Sequence, residues 1–351
     1  MANQGDNPLI AIQMALAGNI DRGGGVYAGC IDRPGRIGPT LAETRVLKIP
    51  SAQPVSIAMK NTDLWQAIET AIGSDFKIEK KTGLAGGSIN SAFRIEGDNR
   101  SFFVKVNQTG RLDMFEAESE GLLEIAATKT VRVPAPVACG VKSGVGFLIL
   151  ELLALKSMSH RSDRILGEQL AAMHRKPQSA FGWTRDNTIG STLQPNYPSD
   201  DWISFWRDHR LGFQLELARK NRCRSSLLDR GILLCGKFQA LFYGHTPAPS
   251  LLHGDLWTGN AAAIESERPV IFDPACYYGD RECDIAMSEL FGGFSKEFYK
   301  TYNEAWPIDP GYRARKTLYN LYHVLNHFNL FGGGYETQAE TMIQKLLAEL
   351  A

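Results

Sequence analysis

No apolar run in this 351-residue chain is long enough to span a bilayer. The longest stretches, such as VGFLILELLAL, fall short of twenty residues and contain Glu151. Net charge is also missing, because 38 Lys and Arg balance 38 Asp and Glu. Nothing global therefore draws the chain to nucleic acid or to an anionic membrane. The six cysteines (Cys30, Cys139, Cys223, Cys235, Cys276 and Cys283) form no CxxC pair and no metal-ligand spacing. That scatter is expected of reduced, partly buried thiols in a cytoplasmic protein. Residues 1–58 lack sustained periodicity, and RGGGVYAGCIDRPGRIGPT is instead rich in Gly, Pro and Arg. They lack the continuous apolar core of a secretory signal, although their low acid content fits a transit peptide. The expectation is a disordered extension or an upstream-start artefact, with the folded part beginning at Met59; no function is assigned to it. The remaining length suffices for two domains or one bilobal domain.

The folded part opens with NTDLWQAIETAI, an amphipathic helix with Asn61 or Thr62 as its cap. FKIEKKTGLAGGSINSAFRIEG reads as strand, Gly-containing turn and strand, and SFFVKVN as a third strand. The turn carries Gly86, Gly87 and Ser88, small residues that let backbone N–H groups approach a phosphate. Most turns of that composition are only turns. Lys105 lies inside the third strand; on an edge strand it would simply face solvent. The helix RLDMFEAESEGLLEIAAT follows, with Phe115, Leu122 and Ile125 at core spacing. Glu118 lies three after Phe115 and four before Leu122, on the apolar stripe, whereas Glu116 and Glu120 face outward as surface acids. A carboxylate on a buried stripe needs a partner, and Lys105 is the candidate. A strand lysine paired with a helix glutamate holds ATP phosphates in kinase folds.

Further on, LLHGDLWTGNAAAIESERPVIFDP places Asp255 five residues before Asn260, and Asp273 after the hairpin AAAIESERPVIF. Phosphoryl transfer needs a carboxylate to accept the hydroxyl proton, and an Asn and an Asp to hold magnesium. Order and spacing match that requirement, so the chain reads as a kinase fold with Asp255 as base and Asn260 and Asp273 on the metal. His253-Gly254-Asp255 lacks the Arg of a protein-kinase HRD triplet, Asp273-Pro274-Ala275 replaces DFG, and no APE segment follows.

The HGDL..GN form resembles the small-molecule kinases of the aminoglycoside phosphotransferase superfamily. Within it, FFVKVN, MFEAESEGL, LLHGDLWTGN, VIFDPACYYGD, FGGFSKEFYKTY and LYHVLNHFNLFGGGY resemble the fructosamine kinase (ketosamine-3-kinase) family over residues 60 to 345. The Trp of HGDLWTGN is the most specific mark. Relatives often carry Cys where Ser88 stands, so the resemblance does not extend to thiol-based redox control of that loop. It implies a bilobal, protein-kinase-like α+β fold: a small antiparallel-sheet lobe with one helix over 59–152 and a mainly helical lobe over 153–351. It also implies ATP and Mg²⁺ as cofactors and a ketosamine, free or protein-bound, as acceptor, with neither nucleic acid nor membrane as partner. Glu151 and Leu153 would offer backbone groups to adenine, and Lys105 with Glu118 would position the phosphates. Trp257 would serve as a sugar platform or as core packing. Asp284 resembles the acid that braces the catalytic loop.

Beyond Leu153 four segments have helical spacing: SDRILGEQLAAMHRK, DDWISFWRDHRLGFQLELARK, RARKTLYNLYHVLNHFNLF and TQAETMIQKLLAEL. His174 and His209 fall on apolar faces, as satisfied core histidines do. His323, Asn326 and His327 cluster on a late helix, either lining the acceptor pocket or packing. Two other functions are compatible with the pattern: a different superfamily kinase, and a catalytically dead nucleotide-binding scaffold. Retention of Lys105, Asp255, Asn260 and Asp273 argues against the second. The particular ketosamine, the oligomeric state and the nucleotide preference are not written in the sequence.

Overall fold

Asn61 starts the first helix: its Oδ1 accepts from the Leu64 N–H at 3.1 Å and caps α1 (Thr62–Ile72). The structure, a computed structural model, describes residues 61–84, 90–108, 111–176 and 178–351. The readings placed on residues 1–58 and on Gly86, Gly87 and Ser88 lie outside the described residues.

Five strands follow: β1 (Lys80–Leu84), β2 (Ser91–Gly97), β3 (Arg100–Gln108), β4 (Pro136–Lys142) and β5 (Val145–Glu151). They form one antiparallel sheet in the order β1-β2-β3-β5-β4, so β3 is its central strand and not an edge. Alternation along β3 sends Val104 and Val106 to one face, where Leu64, Trp65 and Ile68 of α1 cover them. Phe103 and Lys105 point to the other face. There α2 (Leu112–Ala127) packs Phe115, Leu122 and Ile125 into the same core as Phe103, Leu148 and Leu150. Each fully buried side chain of that size contributes about 1.5–3 kcal/mol. Period two in the strand and 3.6 in the helix thus bring Lys105 and Glu118 to one interface.

The second lobe is mainly helical. Its frame comprises α3 (His160–His174), α4 (Trp202–Trp206), α5 (Gly212–Lys220), α6 (Ser225–Lys237), α7 (Glu282–Leu290), α8 (Lys296–Ala305), α9 (Tyr312–Phe331) and α10 (Tyr335–Glu349). The continuous helix expected over residues 200–220 is interrupted, because a π-helical turn at Arg207–Leu211 separates α4 from α5. The wider turn aims Arg210 inward. Its guanidinium donates to Pro195 O at 2.6 Å and Asn196 Oδ1 at 2.7 Å and lies on the Tyr277 ring. His209 is left half-exposed beside Tyr197 and Phe205 instead of entering the core. His174 is buried, bonded to Tyr302 Oη at 2.8 Å and Asp284 Oδ2 at 3.1 Å.

Short paired strands carry the polar loops. After β6 (Asn187–Ile189) and β7 (Thr192–Gln194), β8 (Ser250–Leu252) pairs with β11 (Tyr277–Gly279), and β9 (Ala261–Ala263) with β10 (Pro269–Ile271). The β9–β10 hairpin sits against both the first lobe and the chain leaving it: Ile271 N–H donates to Arg132 O, between α2 and β4, at 3.0 Å, and Lys156 N–H, past β5, to Ala263 O at 2.7 Å. Among the described residues no helix is long and apolar enough to cross a membrane.

Candidate active site

The loop leaving β8 is held by its backbone. Asp284, buried on the first turn of α7, accepts from His253 N–H at 2.7 Å and Gly254 N–H at 2.9 Å. Burial opposes the Asp284 charge, but the His174 bond and the neighbouring His253 outweigh it and keep its pKa below the ordinary value. His253 is buried and neutral, since burial pushes its pKa down. Its Nε2–H donates to Phe272 O at 3.0 Å, so its Nδ1 accepts from Asp255 N–H at 3.3 Å. Gly254 adopts φ +79°, and a Cβ there would lie 2.1 Å from Ala275 O. The loop therefore requires glycine at this position twice over.

Asp255 is half-buried at the mouth of this loop. Burial, and then the negative charge of Asp273, push its carboxyl up to about 7. The Asn260 Nδ2 amide donates to Asp255 O at 2.9 Å and to Asp255 Oδ2 at 3.1 Å. Asn260 Oδ1 is buried with no hydrogen-bond partner among the described residues. A buried carboxamide oxygen without a partner is costly unless something cationic meets it. Asp273, just past β10, adopts the left-handed φ of +57°, which a non-glycine residue holds only when its surroundings enforce it. The side-chain oxygens of Asn260 and Asp273 are hard donors of the class that Mg²⁺ takes.

Lys105 reaches both lobes. Its Nζ donates to Glu118 Oε1 at 2.8 Å and also to Asp273 Oδ1. Burial works against the ammonium, but the Asp273 and Glu118 carboxylates prevail and hold its pKa above the ordinary lysine value. Burial, opposed by Lys105, pushes the Glu118 carboxyl up.

The remaining candidates fall into two places. At the lobe junction Glu151 N–H already donates to Ala135 O at 2.9 Å, and its carboxylate holds Arg132 and the Ala135 N–H. Its N–H is thus already committed within the lobe; Leu153 follows, half-buried against the core. Trp257 and His327 are brought to one half-buried aromatic cluster by Phe291, whose ring centroid lies 6.1 Å from Trp257 and 5.1 Å from His327. His327 Nδ1–H donates to His323 O at 2.7 Å, so Nε2 is an acceptor, and burial pushes its pKa down. His323 and Asn326 are buried, with the Asn326 amide donating to Ile189 O at 3.3 Å. Phe291 was not singled out from sequence; its place in FGGF, a turn between two helices, is the only local signal.

The family model described as fructosamine kinase matches residues 60–349. A probable ketoamine kinase of Synechocystis sp. is 46% identical over 288 residues, covering 81% of this chain and 97% of that protein. A chloroplastic protein-ribulosamine 3-kinase of Oryza sativa subsp. japonica is 43% identical, covering 79% of this chain and 82% of its own length. Among solved structures, a putative fructosamine-3-kinase from Haemophilus somnus 129PT superposes with TM-score 0.74 at 31% identity, covering 81% of this chain and 97% of that one.

Proposed function

The chain belongs to the fructosamine kinase family, and from that membership we infer a phosphotransferase that carries a phosphoryl group from ATP to a sugar hydroxyl of a ketosamine. The ketosamine reading follows the relatives. The residue roles are our proposal, carried by one observation: Asp255, Asn260 and Asp273 converge beside the Lys105–Glu118 pair, and Asn260 Oδ1 is left buried without a partner among the described residues.

In this reading Asp255 accepts the proton of the attacking hydroxyl. That oxygen bonds to the γ-phosphorus while the bond to the β,γ-bridging oxygen breaks, and ADP leaves. A carboxyl pushed up to about 7 suits a base that must be ionised and still basic near neutral pH. Asn260 Oδ1 and Asp273 would hold Mg²⁺, which when bound supplies positive charge against the phosphates. Lys105, held by Glu118, would offer its ammonium to the phosphates. Trp257 and Phe291 form the apolar wall against which the C–H edge of the sugar rests, and His327 Nε2 accepts a hydrogen bond from a sugar hydroxyl there. Glu151 C=O and Leu153 N–H would face adenine. The acceptor is a fructosamine or ribulosamine, free or on a protein.

The test is to supply purified protein with ATP and Mg²⁺, then a fructosamine, a ribulosamine, the parent amine and free fructose, and to follow ADP release and the product by phosphorus NMR. Ketosamine turnover well above that of fructose is expected. Fructose turned over as efficiently as the fructosamine would leave a general sugar kinase.

A further inference from the structure

The face of α2 turned away from Lys105 carries three glutamates, Glu116, Glu120 and Glu124, spaced four residues apart and therefore stacked along one stripe. From sequence the first two pass for solvated acids. In the structure all three are engaged by the other lobe. Arg185, on the segment between α3 and β6, donates to Glu120 Oε1 at 2.7 Å and Glu116 Oε2 at 3.0 Å. Trp183 Nε1–H donates to Glu124 Oε2 at 2.8 Å, and Tyr278 Oη–H to Glu124 Oε1 at 2.5 Å. Between these contacts the α2 backbone lies close on the segment after Asp273: a Cβ at Gly121 would meet Cys276 Sγ at 3.1 Å and Pro274 Cγ at 3.5 Å.

Glu118 lies about 200° around the helix from Glu116, so α2 is gripped on two opposite sides. In protein kinases the position of the equivalent helix decides whether the lysine–glutamate pair forms, and phosphorylation of an activation loop controls it. Here the second side of the grip is built from fixed side chains of the helical lobe. We propose that Arg185, Trp183 and Tyr278 are positioning residues: by clamping the glutamate stripe they keep Glu118 on Lys105 before any ligand arrives. The pair is then pre-assembled, and its quality is set by a contact on the far side of the helix. The inference rests on the nucleotide role given above to Lys105 and Glu118.

Arg185 is 26% exposed and its two partners 38% and 49%. Ion pairs at that exposure contribute little to global stability. Loss of the clamp should therefore appear in nucleotide affinity more than in melting temperature. Binding of a non-hydrolysable ATP analogue with Mg²⁺ would be measured by calorimetry for Arg185→Ala, Arg185→Lys, Trp183→Phe, Glu118→Gln and the double variant Arg185→Ala/Glu118→Gln. Arg185→Ala is expected to weaken the analogue about two- to fivefold, with ketosamine affinity unchanged and part of the loss recovered in Arg185→Lys. In the double variant Arg185→Ala should add nothing to Glu118→Gln, because it acts through Glu118. Multiplying effects, or an unchanged analogue affinity in both Arg185→Ala and Trp183→Phe, would overturn the clamp. A Glu118→Gln protein that binds the analogue normally would instead remove the nucleotide role of the pair. If Arg185→Ala is too unstable to assay, Arg185→Gln enters the same cycle.

Discussion

Asn260 spends its amide on Asp255, donating at 2.9 Å to the backbone carbonyl and at 3.1 Å to the carboxylate, while its side-chain oxygen Oδ1 stays buried with no partner among the described residues. One side chain thus fixes the base and keeps an oxygen in reserve. The five-residue spacing between them is the distance a loop needs to turn through Trp257 and return, with the Asn260 N–H closing on Trp257 O at 2.9 Å.

Asp255→Asn should keep the nucleotide affinity and lose about 10²–10⁴-fold in kcat, the range of general-base contributions. Single-turnover rates at saturating ATP and ketosamine measure it. Turnover near the wild-type rate would remove Asp255 from the base role.

Asn260→Ala takes away the reserved oxygen, and Asp273→Asn takes away a charge. Both should raise the Mg²⁺ concentration needed for half-maximal rate, and the loss should shrink as Mg²⁺ is added. A deficit that excess Mg²⁺ leaves untouched in both variants would show that these oxygens serve only the loop.

Gly254→Ala can be set against Gly244→Ala. Both glycines hold similar left-handed φ, +79° and +77°, but a Cβ at Gly244 meets nothing within 4 Å, whereas at Gly254 it strikes Ala275 O. Backbone strain alone costs about 1–2 kcal/mol, so Gly244→Ala should lose that much in denaturant unfolding. Gly254→Ala should lose more, and its kcat as well, because the loop must move off Ala275. Equal losses would mean that the clash relaxes freely.

Local chemistry was legible in the sequence wherever one short segment contained it. The order HGDL..GN, hairpin, Asp273 is contiguous, and its hairpin folds as β9 and β10. Lys105 and Glu118 could be matched because a strand of period two and a helix of 100° per residue each assign a face unaided. The glutamate stripe was not legible. Its partners stand up to 154 residues away, and a charge held by a distant arginine looks in sequence like one held by water. The π-helical turn at Arg207–Leu211 was hidden for a related reason: apolar spacing runs on through it, and only the tertiary demand on Arg210 opens the helix.

Trp257→Ala should raise the ketosamine KM about three- to thirtyfold, the worth of an aromatic contact to a C–H face and a nearby ammonium of roughly 0.5–2 kcal/mol. The ATP KM should stay put, and Trp257→Phe should recover part of the loss. Because Phe291 meets the Trp257 ring edge-on and also touches His327, Phe291→Ala should move the same constant in the same direction. A change confined to the ATP KM in both variants would place this cluster on the nucleotide side.

The raised pKa of Asp255 also sets a stability prediction whose sign is opposite to that of an ordinary salt-bridged acid. Its folded value is about 7 against an ordinary 3.8, so between those limits the folded state keeps a proton that the unfolded chain has released. Stability then falls as pH rises through that window and levels off above about pH 7. A three-unit gap caps the effect at about 4 kcal/mol, and solvent reaching the half-buried carboxylate reduces it. Asn at this position accepts the Asn260 hydrogen bond without the charge that repels Asp273. In the absence of Mg²⁺, Asp255→Asn should therefore melt above the wild type at pH 8 and level with it at pH 4, the reverse of what removing a stabilising acid would do. Added Mg²⁺ should narrow the pH 8 difference without abolishing it, since a cation on Asp273 cancels the second cause that holds Asp255 up and leaves the first, burial. Melting curves at the two pH values, with and without Mg²⁺, decide the matter. A variant less stable than the wild type at pH 8, or a difference unchanged between pH 4 and pH 8, would show that burial and the Asp273 charge do not hold the Asp255 carboxyl up.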